Sequence, residues 1–311
     1  MEMSRERGIN TVVDVSLAVL FISIAVLALS MVPVQSGEQR TSERADRTAD
    51  ILASSTVGVT YSMEEAAETA VDGDLSDAYP NVELERTTHG SLASLIASLA
   101  VANATIESSG DQIRPPGEKR EFARVLDERL QTALVETSVE THVRAVWEPY
   151  DGAPLAGETT VGQRPPRDVS TTAATVKVPS GFESVPDASF EPIGEESYRA
   201  LSEIIAETVV EGYLPQAESK RVLEGSDLEQ ALALERYRQM ATAIESVGTA
   251  EKVLSEIREP PVRTATANEV LTELLADQFE ADLRRSFDSV TNAVAAIDVN
   301  TVTIVVKTWE A

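Results

Sequence analysis

The sequence predicts an α+β protein that carries one transmembrane helix near its amino terminus, and three patterns predict it. The first is an apolar run at residues 12–34. The second is a group of short segments in which apolar and polar residues alternate, as they do in strands. The third is a group of longer segments with apolar residues at helical spacing. Together they predict a small, mainly antiparallel sheet of about four strands covered by long amphipathic helices.

The apolar run is long enough to span a bilayer, and its central part has no charged residue. A helix rises about 1.5 Å per residue and the hydrocarbon core is about 30 Å thick, so about 20 apolar residues cross it. The run also exceeds the apolar core of a cleaved secretory signal. We therefore expect a short tail at 1–11, a transmembrane helix at 12–34 and a soluble α+β ectodomain at 38–311.

The residues that flank the span favour an external ectodomain. Arg7 lies closer to the span than any basic residue that follows it, and basic residues favour the cytoplasmic side. The triplet Asn103-Ala104-Thr105 makes Asn103 a candidate N-glycosylation site, which agrees with an exterior location. We expect a single-pass cell-membrane protein, in contact with membrane lipid, whose ectodomain is extracellular.

The first part of the ectodomain alternates helix and strand signals. An amphipathic helix at 38–53 precedes a strand at 56–63, whose valines alternate onto one face. A polar loop follows, and then a helix of small residues at 90–104. The helix at 118–135 has the clearest apolar stripe.

Two further strands are predicted at 139–147 and 172–178, where apolar residues again alternate with polar ones. The segment between them contains several glycines and prolines, and its composition predicts a loop. The segment 178–192 is predicted to be a loop for the same reason.

The remainder is predicted to be helical up to a closing strand. Two capping-box pairs, Ser226 with Glu229 and Thr266 with Glu269, predict helix starts. The predicted elements are helices at 194–212 and 226–247, a short helix ending at 258, a long helix at 266–296 and a strand at 299–309. Because the last strand completes the sheet, the ectodomain is expected to fold as one unit.

Acidic residues dominate the charge of the chain, with 52 Asp and Glu against 26 Lys and Arg and a net charge of −26. The acids are spread along the soluble part, which favours adaptation of a halophilic protein to a salty medium. An electrostatic partner, such as a cation or a basic protein, is the alternative. We expect no nucleic-acid partner, because phosphate binding needs a basic surface.

No residue pattern points to catalysis, a cofactor or a metal. The chain has no cysteine, which excludes disulfides and thiolate chemistry. Neither histidine, His89 or His142, has further ligands at zinc-site spacing, and surface or capping roles are expected for both. No GxSxG, HExxH or Walker pattern occurs. We therefore assign no catalytic, cofactor-binding or metal residues and expect a protein that is not an enzyme.

The segment that follows the second predicted strand of the ectodomain has two of the few aromatic residues, Trp147 and Tyr150, beside acids. Two interpretations are open. The two rings could contact a neighbouring subunit. Alternatively, Trp147 could close the core of the sheet and Tyr150 could cover it.

The amino terminus resembles the start of a prepilin, because Arg7-Gly8 precedes an apolar helix with an early acid, Asp14. The resemblance implies cleavage between Gly8 and Ile9. It also implies an acid at the fifth mature position that registers the subunits, whereas Asp14 would be the sixth. A carboxylate near the end of a span needs the interface or a partner charge, so Asp14 is a candidate partner contact.

Four segments together resemble an uncharacterised family of single-pass membrane proteins of halophilic archaea. They are Arg7–Val15, Val146–Pro154, Gly162 with Pro165-Pro166, and Val306–Trp309. The resemblance implies proximity to pilus-type assembly machinery and to TadE-like pseudopilins, which also combine one amino-terminal span with an outer α+β domain.

The expected function is that of a non-enzymatic, membrane-anchored envelope protein, a pilin-like or TadE-like accessory component of a pilus- or secretion-type assembly. Its expected partners are other envelope or pilus-assembly proteins. The first alternative is a ligand-binding ectodomain that senses or captures a solute. A second alternative is an envelope hydrolase that uses carboxylates.

Overall fold

Two antiparallel sheets and a set of packed helices form the described part of the chain. The computed structural model describes residues 37–71, 84–106, 117–134, 140–185, 197–225, 228–245, 247–258 and 260–310. Within these ranges no helix is long and apolar enough to cross a membrane, and the predicted span at 12–34 lies outside them. The chain divides into two units, Met1–Glu43 and Arg44–Ala311, and both sheets belong to the second.

Helices and strands alternate along the first half of the chain, and helices dominate the second half. The helices are α1 Gly37–Ser54, α2 Glu64–Ala70, α3 Leu92–Ala102, α4 Gly117–Leu134, α5 Ser197–Tyr213, α6 Gln216–Leu223, α7 Leu228–Ile244, α8 Val247–Ile257, α9 Thr264–Ser286 and α10 Val290–Ala296. The strands are β1 Thr56–Ser62, β2 Glu85–Ser91, β3 Thr105–Ile106, β4 Glu140–Trp147, β5 Leu155–Gly162, β6 Thr172–Pro179 and β7 Thr301–Trp309. The predicted α+β class is confirmed.

The larger sheet has five antiparallel strands in the order β3-β5-β4-β7-β6. The closing strand β7 lies between β4 and β6, so that Val305 faces Arg144 on one side and Thr175 on the other. A strand from the end of the chain therefore joins two strands from its middle. The complete five-stranded sheet therefore requires the carboxy-terminal segment.

One face of this sheet is buried and forms part of the main core. Its floor includes Val143, Ala145 and Trp147 of β4, and helix α3 packs against it. Helix α3 also packs against α4, so apolar residues occur around most of its circumference. Ser91 caps its first turn, with Oγ accepting a hydrogen bond from Ser94 N at 3.1 Å. We call the buried face of the sheet, against which α3 packs, the inner face.

Helices α5 and α9 form an antiparallel pair within the helical part of the fold. At one end Asn268 Nδ2 donates to the Leu214 carbonyl oxygen at 2.9 Å. At the other end the Tyr198 hydroxyl donates to the Phe287 carbonyl oxygen at 2.9 Å. These two bonds satisfy carbonyls that the helix ends leave without an intrahelical partner.

The smaller sheet consists of β1 and β2, which pair antiparallel with Val59 opposite Thr88. Helix α4 packs on β1, and the rings of Tyr61 and Phe122 lie 5.2 Å apart in an edge-to-face arrangement. The sequence placed β1 in one sheet with the other strands, and this expectation is wrong. The pairing partner of a strand depends on distant residues that alternation within the strand does not reveal.

Three strands and two helices were missed by the sequence patterns. Strand β2 was assigned to a loop and a helix start and β5 to a Gly/Pro-rich loop, while β3, α2 and α6 were assigned to no element. In β5 the buried residues do alternate, from Leu155 through Gly157 and Thr159 to Val161. Two glycines and two threonines hide this alternation, because a small or polar residue gives no apolar signal. The sheet therefore has five strands where about four were expected.

The long carboxy-terminal helix predicted at 266–296 is two helices in the structure. Helix α9 ends at Ser286, and Phe287 has extended backbone. Ser289 then starts α10, with its Oγ accepting from Asn292 N at 3.2 Å. The Phe287 ring packs against Tyr150 at 5.9 Å, so a tertiary contact accompanies the break.

Candidate functional site

The face of the five-stranded sheet opposite helix α3 is the candidate site, and we call it the outer face. Side chains alternate across a strand, so each inward residue is followed by one on the outer face. The outer face is largely exposed or half-buried. Its central residues are Arg144, Val146, Glu158, Thr160, Thr175, Lys177, Thr301, Thr303 and Val305. Apart from Arg144, Glu158 and Lys177, these side chains are threonine or valine.

A cleft of about 900 Å³ lies over part of the outer face. Val146, Thr303 and Val305 lie among its central strand residues, while Glu148 and Asp298 come from the segments beside the sheet. The lining combines hydroxyls, carboxylates and small apolar groups. Such a surface can bind a polar molecule or a segment of another protein through hydrogen bonds and modest apolar contact.

One ion pair crosses the outer face. Arg144 donates from Nε and Nη2 to the two carboxylate oxygens of Glu158, at 2.8 and 2.7 Å. These hydrogen bonds lower the pKa of the Glu158 carboxyl and raise the pKa of the Arg144 guanidinium. Both side chains are about half exposed, at 51% and 49%, so water screens the pair and its contribution to stability is at most about 1 kcal/mol. The pair orders the floor of the cleft more than it stabilises the fold.

Other charges near the cleft also have partners. Lys177 Nζ lies 3.0 Å from Asp298 Oδ2, and Glu148 Oε2 accepts a hydrogen bond from Gly152 N at 3.0 Å. Gly152 has φ 76°, a backbone conformation that favours glycine in this turn. The turn therefore holds Glu148 in place beside the cleft.

Both aromatic residues singled out from the sequence are buried. Trp147 is 0% exposed and its Nε1 donates to the Val299 carbonyl oxygen at 2.8 Å. Tyr150 is 1% exposed and its hydroxyl donates to Asp282 Oδ2 at 3.2 Å. Burial, and next the Asp282 carboxylate, raise the pKa of Tyr150. Both side chains are almost completely buried, which corresponds to the interpretation that Trp147 closes the core and Tyr150 covers it.

Asn103 lies at the carboxy-terminal cap of α3 and lines the cleft. Its Nδ2, the atom that a glycan would modify, donates to the Glu158 carbonyl oxygen at 3.2 Å. Glycosylation of Asn103 would therefore compete with this contact. The other sequence-predicted residues, Gly8, Ile9 and Asp14, lie outside the described residues.

The two histidines belong to different sheets. His89 is exposed on β2. His142 lies on the outer side of β4 but is only 8% exposed, so the surface position expected for it is wrong. Its Nδ1 has no hydrogen-bond partner in the part of the chain that the structure describes. Burial lowers the pKa of His142, and the positive charges of Lys307 and Arg164 lower it further, against the nearby carbonyls of Gly162 and Gln163.

The buried His142 predicts a loss of stability in mild acid. Its pKa in the folded protein is below the unfolded value of about 6.5, so the unfolded chain binds the proton more readily. The free energy of unfolding should therefore fall as the pH falls below about 6.5. The His142→Gln variant should show a shallower fall than the wild type in denaturant unfolding measured at several pH values.

The matched control for this experiment is His89→Gln, which removes the only other histidine. It should retain the pH dependence of the wild type. Equal slopes for the His142→Gln variant and the wild type would contradict the assignment.

A second groove, of about 570 Å³, lies between α5 and α9. It is lined by Glu203, Glu207, Glu211, Glu269 and Glu273, with Arg199 at one end. Arg199 is paired with Glu203 and Asp277, and the buried Asn268 uses its side chain in bonds to Tyr237 and Leu214. The groove thus resembles the acidic surface of the rest of the chain and offers no unpaired buried group to a ligand among its described residues.

Within the described ranges, no three histidine or carboxylate side chains lie close enough together to hold a metal ion.

Sequence comparison identifies one family. The model of a family described as "Family of unknown function (DUF7284)" matches residues 13–309. No curated protein and no solved structure matches the chain. The match covers nearly all of the sequence, including most of the predicted span and all the described elements.

Proposed function

Because the chain belongs to the DUF7284 family, whose function is unknown, we propose a function from its own residues. The protein is a non-enzymatic, membrane-anchored envelope protein. It serves as a pilin-like or TadE-like accessory component of a pilus- or secretion-type assembly, and its ectodomain is extracellular. Its partners are membrane lipid and other envelope or assembly proteins.

The observation that carries this proposal is the apolar run at 12–34. It has the length of a bilayer-spanning helix and no charge in its centre. The early acid Asp14 would be costly at the end of such a span unless it reached the interface or a partner charge. A partner helix from an assembly would supply that charge, and cleavage between Gly8 and Ile9 would expose the span in the manner of a pilin.

The outer face supports a role in protein contact. It is a mostly uncovered sheet surface whose central charges, Arg144 with Glu158 and Lys177 with Asp298, are already paired. A partner that covers it would therefore meet hydroxyls and β-branched side chains, with few unpaired charges to desolvate. The segment from Glu148 to Pro166, which includes β5, contributes both to this face and to its border.

The acidic composition supports a halophilic, salty setting. The net charge of −26 would make the folded chain self-repelling in dilute buffer, and salt screens that repulsion. Experiments on this protein are therefore best done at high salt.

A ligand-binding ectodomain is the second candidate function, and the cleft of about 900 Å³ favours it. Its hydroxyl and carboxylate lining suits a polar solute. A thermal shift at high salt with a library of polar small molecules, abolished by a bulky residue at Thr303, would favour this candidate.

The membrane proposal is tested on full-length protein in native membranes. The polypeptide is expected to remain in the membrane pellet after salt and carbonate washing. The mass of its amino terminus should correspond to a start at Ile9 if a prepilin-type peptidase acts. Release of intact polypeptide by either wash would overturn the anchor.

The assembly proposal is tested by purification from gently solubilised membranes at high salt. Envelope proteins are expected to co-purify, and Thr303→Arg, in the middle of the outer face, should reduce their recovery about tenfold or more because an interface centre tolerates a bulky charge poorly. The matched control is Thr87→Arg, an exposed position on β2. Recovery of this chain alone from the wild type would contradict the proposal.

A further inference from the structure

The two edges of the five-stranded sheet differ in how their backbone groups are satisfied. On β5, Ala156 pairs with Thr105 of the short strand β3. The Glu158 carbonyl oxygen accepts from Asn103 Nδ2 at 3.2 Å, and Gly162 N donates to Asp127 Oδ1 at 3.3 Å. Side chains from α3 and α4 thus replace a neighbouring strand. Backbone groups on this edge therefore already have partners, and we call it the closed edge.

The opposite edge is strand β6, and its pairing pattern shows which backbone groups face outward. Ser180 N donates to the Asn300 carbonyl oxygen at 2.8 Å, in the register that aligns Pro179 with Thr301. Backbone bonds alternate sides along an antiparallel strand, so the even-numbered residues of β6 bond to β7. The N–H groups of Ala173, Thr175 and Lys177 therefore point away from the sheet. No group in the described ranges accepts a hydrogen bond from them.

Proteins usually protect such an edge with charge, proline or a covering element. Here Pro179 is at the last position of the strand, where it leaves the preceding N–H groups available. Lys177 is the only charged residue of β6, and its ammonium is bonded to Asp298 across the sheet. The five residues of β6 that precede Lys177 include neither a charged residue nor a proline. The edge is long and geometrically able to accept another strand.

We propose that β6 pairs antiparallel with β6 of a second copy of this chain, which joins the two five-stranded sheets into one. The outward residues define the register. Thr175 lies opposite Thr175 of the second copy, and Ala173 lies opposite Lys177 in both directions. This inference does not depend on the proposed function.

A second copy fits this edge because the strand is self-complementary in that register. Two threonines face each other at the centre, a favourable cross-strand pair, and each lysine faces an alanine and no second charge. On the inner side Val176 lies opposite Ala174 of the second copy. Val176 is only partly buried, so the pairing would extend the apolar row that β6 shares with β7.

The net charge gives this dimer a salt dependence. Two chains of charge −26 repel each other in dilute buffer, whereas backbone hydrogen bonds and apolar contact persist at high salt. Association should therefore increase with salt. A contact built on ion pairs would show the opposite trend.

Cysteine cross-linking of the full-length protein tests the register, because the chain has no native cysteine. In the proposed dimer the two Thr175 Cα atoms would be about 5.5 Å apart, a separation that a disulfide can span. Thr175→Cys should form a covalent dimer on mild oxidation at high salt, and more of it than at low salt. The matched control Thr160→Cys is exposed on the same face but on the closed β5 edge, and it should stay monomeric.

A second pair of variants tests the backbone bonds without oxidation. Thr175→Pro removes two of the N–H groups that bond the copies together, one from each chain, and spares the bonds between β6 and β7. The dimer dissociation constant, measured by sedimentation, should rise about tenfold or more. Thr160→Pro is the control and should leave it unchanged. A monomeric wild type at high salt, or equal cross-linking at positions 175 and 160, would overturn the proposal.

Discussion

Trp147→Ala is expected to lower the free energy of unfolding by about 3–5 kcal/mol, the largest effect of any single substitution considered for this chain. Trp147 is 0% exposed and ends β4 on the inner face of the sheet. Its ring packs edge-to-face against Phe182 at 4.9 Å and Tyr213 at 6.0 Å. Tyr213 in turn donates to the Val101 carbonyl oxygen of α3 at 2.8 Å. The ring therefore lies where the sheet, α3 and α5 meet.

The loss of stability should come from removal of the packed ring and not from removal of its hydrogen bond. Trp147 Nε1 donates to the Val299 carbonyl oxygen, but the Ser180 hydroxyl also donates to that oxygen, at 2.9 Å. Removing the indole leaves the carbonyl with a partner. Truncation to alanine mainly opens a cavity, and the cost of a cavity grows with its size.

Denaturant unfolding of the full-length chain at high salt, followed through Trp309 fluorescence, measures this effect. Trp147→Phe keeps an aromatic ring and should lose less than half as much stability as the alanine variant. Thr160→Ala, at an exposed position on the neighbouring strand, is the matched control and should stay within about 0.5 kcal/mol of the wild type. A loss below about 1 kcal/mol for Trp147→Ala would contradict the burial of this ring.

Gly157→Ala should give the second largest effect, a loss of about 3 kcal/mol, because the substitution forces α3 away from β5. A Cβ atom at Gly157 would lie 2.1 Å from the Ala100 carbonyl oxygen and 3.2 Å from Ala104 N. Both are backbone atoms, one in the last turn of α3 and one just after the helix. Backbone atoms cannot rotate aside as a side chain can. The absence of a side chain at Gly157 lets the helix rest on the strand.

Gly152→Ala is the matched control for this substitution. Gly152 has φ 76° but no atom within 4 Å of a built Cβ, so its replacement tests backbone strain without a clash. Its cost should be about 1–2 kcal/mol. If Gly157→Ala were no more destabilising than Gly152→Ala in thermal unfolding, the close approach of α3 to β5 would be wrong.

Local patterns predicted the helices better than the strands. The stripe predicted at 118–135 corresponds to α4 at Gly117–Leu134, and the helix predicted at 38–53 corresponds to α1 at Gly37–Ser54. A helix makes its hydrogen bonds within one segment, so its signal is contained in that segment. Strand β5 has a glycine at position 157 because α3 packs too closely there for a side chain. This glycine interrupts the apolar pattern from which β5 could have been predicted.

The candidate site could not be predicted from patterns within one segment. In β4, Val143 and Trp147 lie on the side opposite Arg144, as the apolar-polar alternation at 139–147 indicates, because the period of a strand is local. However, the partner of Arg144 is Glu158 on the missed strand β5, and the cleft also needs residues of β7. The sequence did not decide whether Trp147 and Tyr150 contact a partner or lie in the core. Burial of a ring depends on the residues that pack over it, and these are distant in the sequence.

Local sequence patterns were sufficient to predict the α+β class and most of the helices, and they show the acidic character of the chain and the apolar run at 12–34. Each of these depends on composition or on a period within one segment. Three features became visible only in the folded chain: β1 belongs to a separate sheet, the long last helix breaks at Phe287, and one edge of the larger sheet is closed while β6 is open. Those features depend on pairing and packing between residues far apart in the chain, which local periodicity does not encode.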